Sequence, residues 1–351
     1  MVISGWIIKF PYWLCWQIKQ LSGQLTPVVF YVDSEHDYFI VEHILPHIEF
    51  PYRIVARNQK VVAMLAGYGI QASAWPAYPR ILVMARHAFH RFPIKAIKKI
   101  GMKHGTYHFK KMIHPKKYNE FDLYLFTTGD ETKMAARMGI QHGVEAGQPK
   151  LDAFSHPRTR EMSEEISKLD FFDPAKHTLL FTTTWDKSGL SAIDLWIDKL
   201  PELSKRYNIL VSLHPMMSVY YFEKIRAMQD IYFTDSYHLP ASMLLADFLI
   251  SDTSSVMGEF CALDKPIITF AVEKGWRLTP EIKEMIKEIS IQIREAGELD
   301  HAVDQYQSDK ELKRASRLHW RKVFYGETEG SQGLKAAKVI NSYVKSIVGE
   351  G

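Results

Sequence analysis

Cysteine is nearly absent: the 351 residues contain two, Cys15 and Cys261. Two cysteines cannot build the multi-bridge framework of a small secreted domain, and they fit a reducing cytoplasm in which both stay packed thiols. Long apolar runs are missing too, since none reaches the roughly 18 residues that span a bilayer. The N-terminus lacks the charged start, clean apolar stretch and small-residue cleavage site of an export signal. Charge of one sign is scarce. Lys and Arg exceed Asp and Glu by 44 − 40 = 4, too slight an excess to argue for nucleic acid as a partner. No Gly-rich phosphate loop of the Walker or dinucleotide kind occurs, which argues against an ATPase or a nicotinamide enzyme. No His/Cys cluster has zinc spacing, so neither a metal nor a cofactor is expected. The remaining composition is 46% hydrophobic and 24% charged. That excludes a disordered chain or a low-complexity fibre, and the length suits two domains or one large one.

The first 25 residues stand apart. Trp6, Trp13 and Trp16 lie among Ile7, Ile8, Phe10, Tyr12 and Leu14, with Lys9 and Lys19 as charges. A proline ring clashes with the carbonyl one turn earlier, so the pattern predicts a helix that begins at Pro11. Two readings stand for this segment. Aromatics mixed with lysines suit a membrane–water interface; an aromatic stripe also suits a terminal helix packed on the protein body.

Beyond it, short apolar runs alternate with helical stretches. Val28–Val32, Tyr52–Ala56, Ile81–Ala85, Lys99–Lys103 and Leu123–Thr127 form one series. Thr178–Thr183, Ile209–Leu213, Ile231–Thr234, Phe248–Ser251 and Pro266–Phe270 form a second. Amphipathic stretches such as Ser191–Tyr207 and Met217–Gln229 lie between them. This alternation predicts an α/β protein with two parallel sheets, each covered by helices. A polar, charged stretch over 155–177, with Pro157 and Pro174, reads as a helical linker between them. The expected organisation is an amphipathic segment over 1–25, a first domain over 26–160 and a second over 175–330. Ligands of such sheets bind beyond the carboxyl ends of the strands, and two facing sheets would make a cleft.

Three strand ends carry candidate chemistry. After the fourth run come His104, Gly105 and Thr106; His104 is a side chain able to take a proton near neutral pH, or a structural turn residue. His214 and Pro215 end the second run of the later series, where an imidazole suits a phosphate oxygen, with the same structural alternative. The strongest signal is Ser251-Asp252-Thr253-Ser254-Ser255, a buried strand that opens into hydroxyls before an apolar helix of about Val256–Leu263. Hydroxyls and free N–H groups at that point suit phosphate. Asp33–Asp37, reading DSEHD, is either a metal site or a solvated loop. Lys103, Lys110, Lys111, Lys116 and Lys117, with His104, His108 and His114, form either a basic floor for an anionic acceptor or a solvated helix face.

These motifs, in this order, resemble the CDP-glycerol glycerophosphotransferase family of teichoic-acid primases and polymerases, over roughly residues 25–345. His104-Gly105-Thr106 with Lys110 and Lys111 is similar to its HGT motif and the basic residues that follow. Gly147-Gln148-Pro149-Lys150-Leu151-Asp152 is similar to GxPRxD, Thr184-Trp185-Asp186 to TWR, and His214-Pro215 to HP. Ser251–Val256, Glu259-Phe260 and Leu263–Ile268 are similar to the long SDYSSV…EF…LDKPII motif. The resemblance implies a GT-B fold, two Rossmann-like domains facing each other across a cleft. It also implies a C-terminal helix within 331–351, near Gly333–Ile347, that returns to the first domain. The implied reaction moves glycerol phosphate from CDP-glycerol, or another CDP-polyol, to a hydroxyl of a lipid-linked or polymeric glycan acceptor and releases CMP. The implied partners are that donor, that acceptor and a membrane surface, with the protein cytoplasmic and peripheral at the inner face of the cell membrane. The implied roles are His104 as base and His214 as the group that polarises the donor diphosphate. Ser254 and Ser255 would grip its phosphates, with Asp252, Thr253, Thr184 and Glu259 around the donor; Thr106, Lys110 and Lys111 would serve the acceptor or a phosphate. Lys103, Tyr107, Asp186 and Thr253 depart from the family pattern. A nucleotide-sugar glycosyltransferase of the same fold is the alternative, with Glu259 as a candidate ribose contact, and a catalytically silent membrane-associated scaffold is a further one.

Overall fold

In the computed structural model, which describes residues 3–103, 105, 115–272 and 279–348, the chain falls into two units. One holds the described residues up to Gly105, those from 115 to Asp152 and those from Thr328 on; the other holds those from Ala153 to Glu327. His104, Thr106, Lys110 and Lys111 lie outside the described residues.

The first unit is built on strands β1 (Thr26–Val32), β2 (Tyr52–Ala56), β3 (Ser73–Ala74), β4 (Pro79–Met84), β5 (Lys98–Met102), β6 (Leu123–Phe126) and β7 (Gly143–Glu145). They form one parallel sheet in the order β3-β2-β1-β4-β5-β6-β7. Helices α1 (Ile3–Leu21), α2 (Glu35–Val41), α3 (Gln59–Gly67), α4 (Pro115–Tyr118) and α5 (Gly129–Arg137) belong to this unit. Val28, Phe30, Val32, Ile81, Val83 and Ile100 are buried in its core.

Helix α1 does not begin at Pro11; it runs through it. Pro11 sits on the exposed side of the helix, the side on which a proline inside a helix is best tolerated because water can take up a freed backbone group. The opposite face packs. Tyr12 and Trp16 are buried. The Tyr12 hydroxyl donates to the Ala77 carbonyl at 2.6 Å and Trp16 Nε1 to the Pro79 carbonyl at 3.0 Å. Packing and exposure thus divide the helix, because Phe10, Trp13, Leu14, Ile18 and Leu21 remain exposed.

The second unit contains β8 (Thr178–Thr182), β9 (Asn208–Ser212), β10 (Ile231–Phe233), β11 (Phe248–Ser251), β12 (Ile267–Phe270) and β13 (Ile291–Ile293). These too are all parallel, in the order β10-β9-β8-β11-β12-β13. Every residue of β8, β9, β11 and β12 is buried, as strands covered on both faces must be. Helices α6 (Pro157–Ser167), α7 (Ile193–Trp196), α8 (Leu200–Leu203), α9 (Val219–Arg226), α10 (Leu239–Leu245), α11 (Val256–Ala262), α12 (Pro280–Ile289), α13 (Leu299–Ser308) and α14 (Arg314–Tyr325) complete it. The single amphipathic helix expected over Ser191–Tyr207 is broken into α7 and α8. Pro201 enters at the first turn of α8, the position a proline tolerates, which requires the preceding turn to end.

The chain then returns to the first unit as α15 (Gln332–Val348). Ala336, Ala337, Ile340 and Val344 enter that unit's core. Asp152 fixes the start of α15, accepting from Ser331 Oγ at 2.6 Å and from the Gln332 and Gly333 N–H groups at 2.8 Å each. Gly333 permits the approach: a Cβ there would fall 2.0 Å from the His43 carbonyl oxygen.

Candidate active site

In each sheet the chain builds outward in one direction, then restarts beside the first strand. The restart falls between β1 and β4 in the first unit and between β8 and β11 in the second. In open α/β sheets ligands bind outside the carboxyl ends of the strands at such a switch point.

In the second unit that place is organised by Asp252, the residue after β11, which is 1% exposed. Its carboxylate accepts from Thr183 Oγ1 at 2.5 Å, Thr184 Oγ1 at 3.0 Å and the N–H groups of Thr184 (3.0 Å), Ala192 (3.1 Å) and Thr253 (2.5 Å). Thr184 and Thr253 also join hydroxyl to hydroxyl at 3.0 Å. One step deeper, Thr182 Oγ1 and Ser251 Oγ meet at 2.9 Å. The loops after β8 and β11 are therefore one hydrogen-bonded body. Burial pushes the Asp252 carboxyl up, opposed by the Thr183 hydroxyl and the Ala192, Thr184 and Thr253 N–H groups. Surrounded by these donors, Asp252 supports the loop from within.

The serines that follow are placed differently. Ser255 begins α11 without making a side-chain capping bond, and Ser254 Oγ lies 3.5 Å from the Val256 nitrogen, the outer limit of a hydrogen bond. Glu259 lies one turn into α11, half-buried. On the other side of β8, His214 follows β9. Its Nδ1 accepts the Met216 N–H at 3.1 Å, so the proton of the neutral ring sits on Nε2, a donor. β9, β8 and β11 are adjacent, which sets the His214 and Ser254 loops two strand spacings apart, roughly 10 Å.

The structure brings Thr184, Asp252 and Thr253 into one network and places Ser254, Ser255, Glu259 and His214 beside it. Thr183 and the Ala192 N–H belong to that network and were not singled out from sequence. Thr183 shares a run of threonines at the strand end, a visible signal; a backbone N–H beyond it leaves none. Two motif residues hold structure. Asp152 caps α15, as described. Lys265 Nζ donates to the carbonyls of Met243 (3.1 Å), Leu244 (2.5 Å) and Ala246 (2.8 Å) at the end of α10, and burial pulls its ammonium down to about 8.

In the first unit, strand-end carboxylates meet cations. Glu131 on α5 bonds Lys103 Nζ, and its other oxygen accepts the Thr127 N–H at 2.9 Å. Asp37 accepts from the Asp33 N–H at 2.9 Å, the Ser34 N–H at 3.2 Å and Arg86 Nε at 2.7 Å. The DSEHD loop is thus a helix start with a buried carboxylate. Among the described residues no group of three His, Cys, Asp or Glu is placed to hold a metal ion.

Two all-parallel sheets, each with a topological switch point, and a hydroxyl-rich loop at one of them, define an α/β protein of the GT-B type. The chain belongs to the CDP-glycerol:poly(glycerophosphate) glycerophosphotransferase family, which matches residues 28–330, and is accordingly a transferase. It is similar in structure to the wall teichoic acid polymerase TagF solved after a CDPG soak. The TM-score there is 0.66 at 14% identity, over 100% of this chain and 99% of that one. It is also similar to a UDP-GlcNAc 2-epimerase from Neisseria meningitidis, with a TM-score of 0.60 at 13% identity over 91% and 99% of the two chains. Among curated proteins, none matches by sequence.

Proposed function

We propose that the protein transfers glycerol phosphate, or a related polyol phosphate such as ribitol phosphate, from a CDP-linked donor to a hydroxyl of a lipid-linked or polymeric cell-surface glycan. The acceptor oxygen attacks the phosphorus that carries the polyol. The bond from that phosphorus to the bridging oxygen breaks, its electron pair leaves with CMP, and the hydroxyl proton passes to a base. His104 is the base in this reading, with Thr106, Lys110 and Lys111 serving the acceptor side. Such a transfer needs positioning and charge stabilisation more than covalent chemistry. The observation that carries the donor side is the Asp252-organised loop, which holds Ser254 and Ser255 at the switch point. His214 adds an Nε2–H, and Glu259 stands near the donor.

Calorimetry on Ser254→Ala with Ser255→Ala tests it. Each hydrogen bond to a charged phosphate is worth about 1.5–3 kcal/mol, so affinity for CDP-glycerol should fall at least tenfold. The ligand-free melting temperature should hardly move. Equal affinities would take these serines out of the donor site. Tight binding of a UDP-sugar with none of CDP-glycerol would make the protein a glycosyltransferase. His104→Ala should lower kcat by about 10²–10⁴-fold with donor affinity retained; wild-type turnover would remove it from the mechanism.

The membrane surface belongs to the same proposal. No helix among the described residues is long and apolar enough to cross a membrane. The outer face of α1, with Phe10 58%, Trp13 43% and Ile18 57% exposed, suits the headgroup boundary. Trp13→Glu with Ile18→Glu leaves Tyr12 and Trp16 packed, so it should release the folded protein from anionic vesicles; undiminished binding would end this reading.

A further inference from the structure

Asp186 stands where the family's TWR motif has arginine, and its carboxylate is engaged. Its Oδ1 accepts the Ser218 N–H at 3.1 Å and its Oδ2 accepts from Ser218 Oγ at 2.5 Å. Ser218 closes the short segment that starts at His214 and leads into α9. Within that segment the His214 carbonyl accepts the Met217 N–H at 2.8 Å, and the His214 ring accepts the Met216 N–H at 3.1 Å. The segment is folded on the histidine at one end and pinned to the β8 loop at the other. Further pins follow along α9: Tyr221 donates to Asp194 at 2.8 Å, and Lys224 pairs with Asp198 at 2.5 Å. Ser218, Tyr221 and Lys224 recur at helical spacing, so one face of α9 is held to the chain after β8. The pin nearest His214 is Asp186.

We propose that Asp186 is a positioning residue for His214. By holding Ser218 it keeps the Met216 N–H on Nδ1, which fixes the ring's orientation and leaves its proton on Nε2, directed at the donor. An arginine has no acceptor and could not take the Ser218 N–H, so this position braces the histidine loop in this chain. The inference rests on the reading of His214 as a donor contact, but the brace itself is measurable without donor.

Ring ¹⁵N NMR of the ligand-free protein gives the first readout. Neutral His214 should be the Nε2–H tautomer in the wild type and a mixture of tautomers in Asp186→Ala. Asp186→Asn keeps an oxygen for the Ser218 N–H and should retain the wild-type signal. Ser218→Ala, which deletes one of the two bonds, gives a smaller shift and stands in if Asp186→Ala folds poorly. The second readout is a double-mutant cycle on CDP-glycerol affinity. Asp186→Ala should weaken it roughly tenfold in the wild type and less than twofold in a His214→Ala background. An unchanged tautomer in both Asp186→Ala and Ser218→Ala overturns the proposal, as does an equal loss of affinity with and without His214. If the wild type binds no CDP-glycerol, the functional reading falls while the tautomer result still decides the brace.

Discussion

Both sheets anchor their strand-end loops on buried carboxylates, but the two units satisfy those carboxylates differently. In the first, a cation joins the backbone donors: Glu131 faces the Lys103 ammonium beside the Thr127 N–H, and Asp37 the Arg86 guanidinium beside the Asp33 and Ser34 N–H groups. In the second, Asp252 is met by hydroxyls and backbone N–H groups. An ion pair can be deleted as a unit. A carboxylate met by hydroxyls and main-chain donors alone cannot, because the main-chain donors remain after any substitution. The first arrangement engages one largely buried cation, Lys103, and one half-exposed cation, Arg86. The second gathers hydroxyls and N–H groups into one rigid rim, which suits a loop that must meet an anion without rearranging.

The largest effect should come from Asp252→Ala. It strands several buried donors at about 1–3 kcal/mol each, so the second unit should lose at least 4 kcal/mol, to the order of magnitude, read as faster hydrogen exchange at β8 and β11. No apolar change at Thr183 should restore it. Glu131→Ala comes next. It leaves the Lys103 ammonium buried without that carboxylate, at about 3–5 kcal/mol, and adding Lys103→Met should recover part of that loss in chemical denaturation, the rest staying with the stranded Thr127 N–H. If the pair resists such rescue, the two units do not differ in the way argued. Asp152→Ala should cost the first unit about 1–2 kcal/mol, the worth of a helix cap, with protection in the second unit unchanged. The smallest effect is chemical. Cys15 is exposed, while burial pushes the Cys261 thiol up to about 12. Native protein at pH 8 should take one alkylating label, at Cys15, and a second only when the second unit opens. Rapid double labelling would mean that α11 opens readily.

The sequence shows the strands well for a physical reason. Parallel strands buried on both faces read as unbroken apolar runs, as Phe248–Ser251 does, and it is found with the same ends in the structure; Tyr52–Ala56, also found with its ends, is buried only at Val55 and Ala56. Strands β3, β7 and β13 escaped because they are very short and lie at sheet edges, where no alternation can build up. The hydroxyl-rich strand end at Asp252 is also visible, since its residues are consecutive. What joins it to the β8 loop is not, nor is the bond from Asp186 to Ser218. Those partners are distant in the chain, and nothing local in either segment announces the other. The resemblance marked Asp152 and Lys265 as motif members without telling whether they hold substrate or structure; their hydrogen bonds settle that they hold structure.

The clasp between Asp152 and the start of α15 has a consequence for how the protein is made. Among the described residues the second unit, Ala153–Glu327, is continuous in the chain, so it can close while synthesis is still under way. The first unit cannot. Its core waits for Ala336, Ala337, Ile340 and Val344, which follow the whole of Ala153–Glu327 in the chain. The unit whose strands are translated earlier is thus completed later, and a ribosome stalled shortly before α15 would carry a finished second unit behind a first one whose apolar groove still stands open to chaperones.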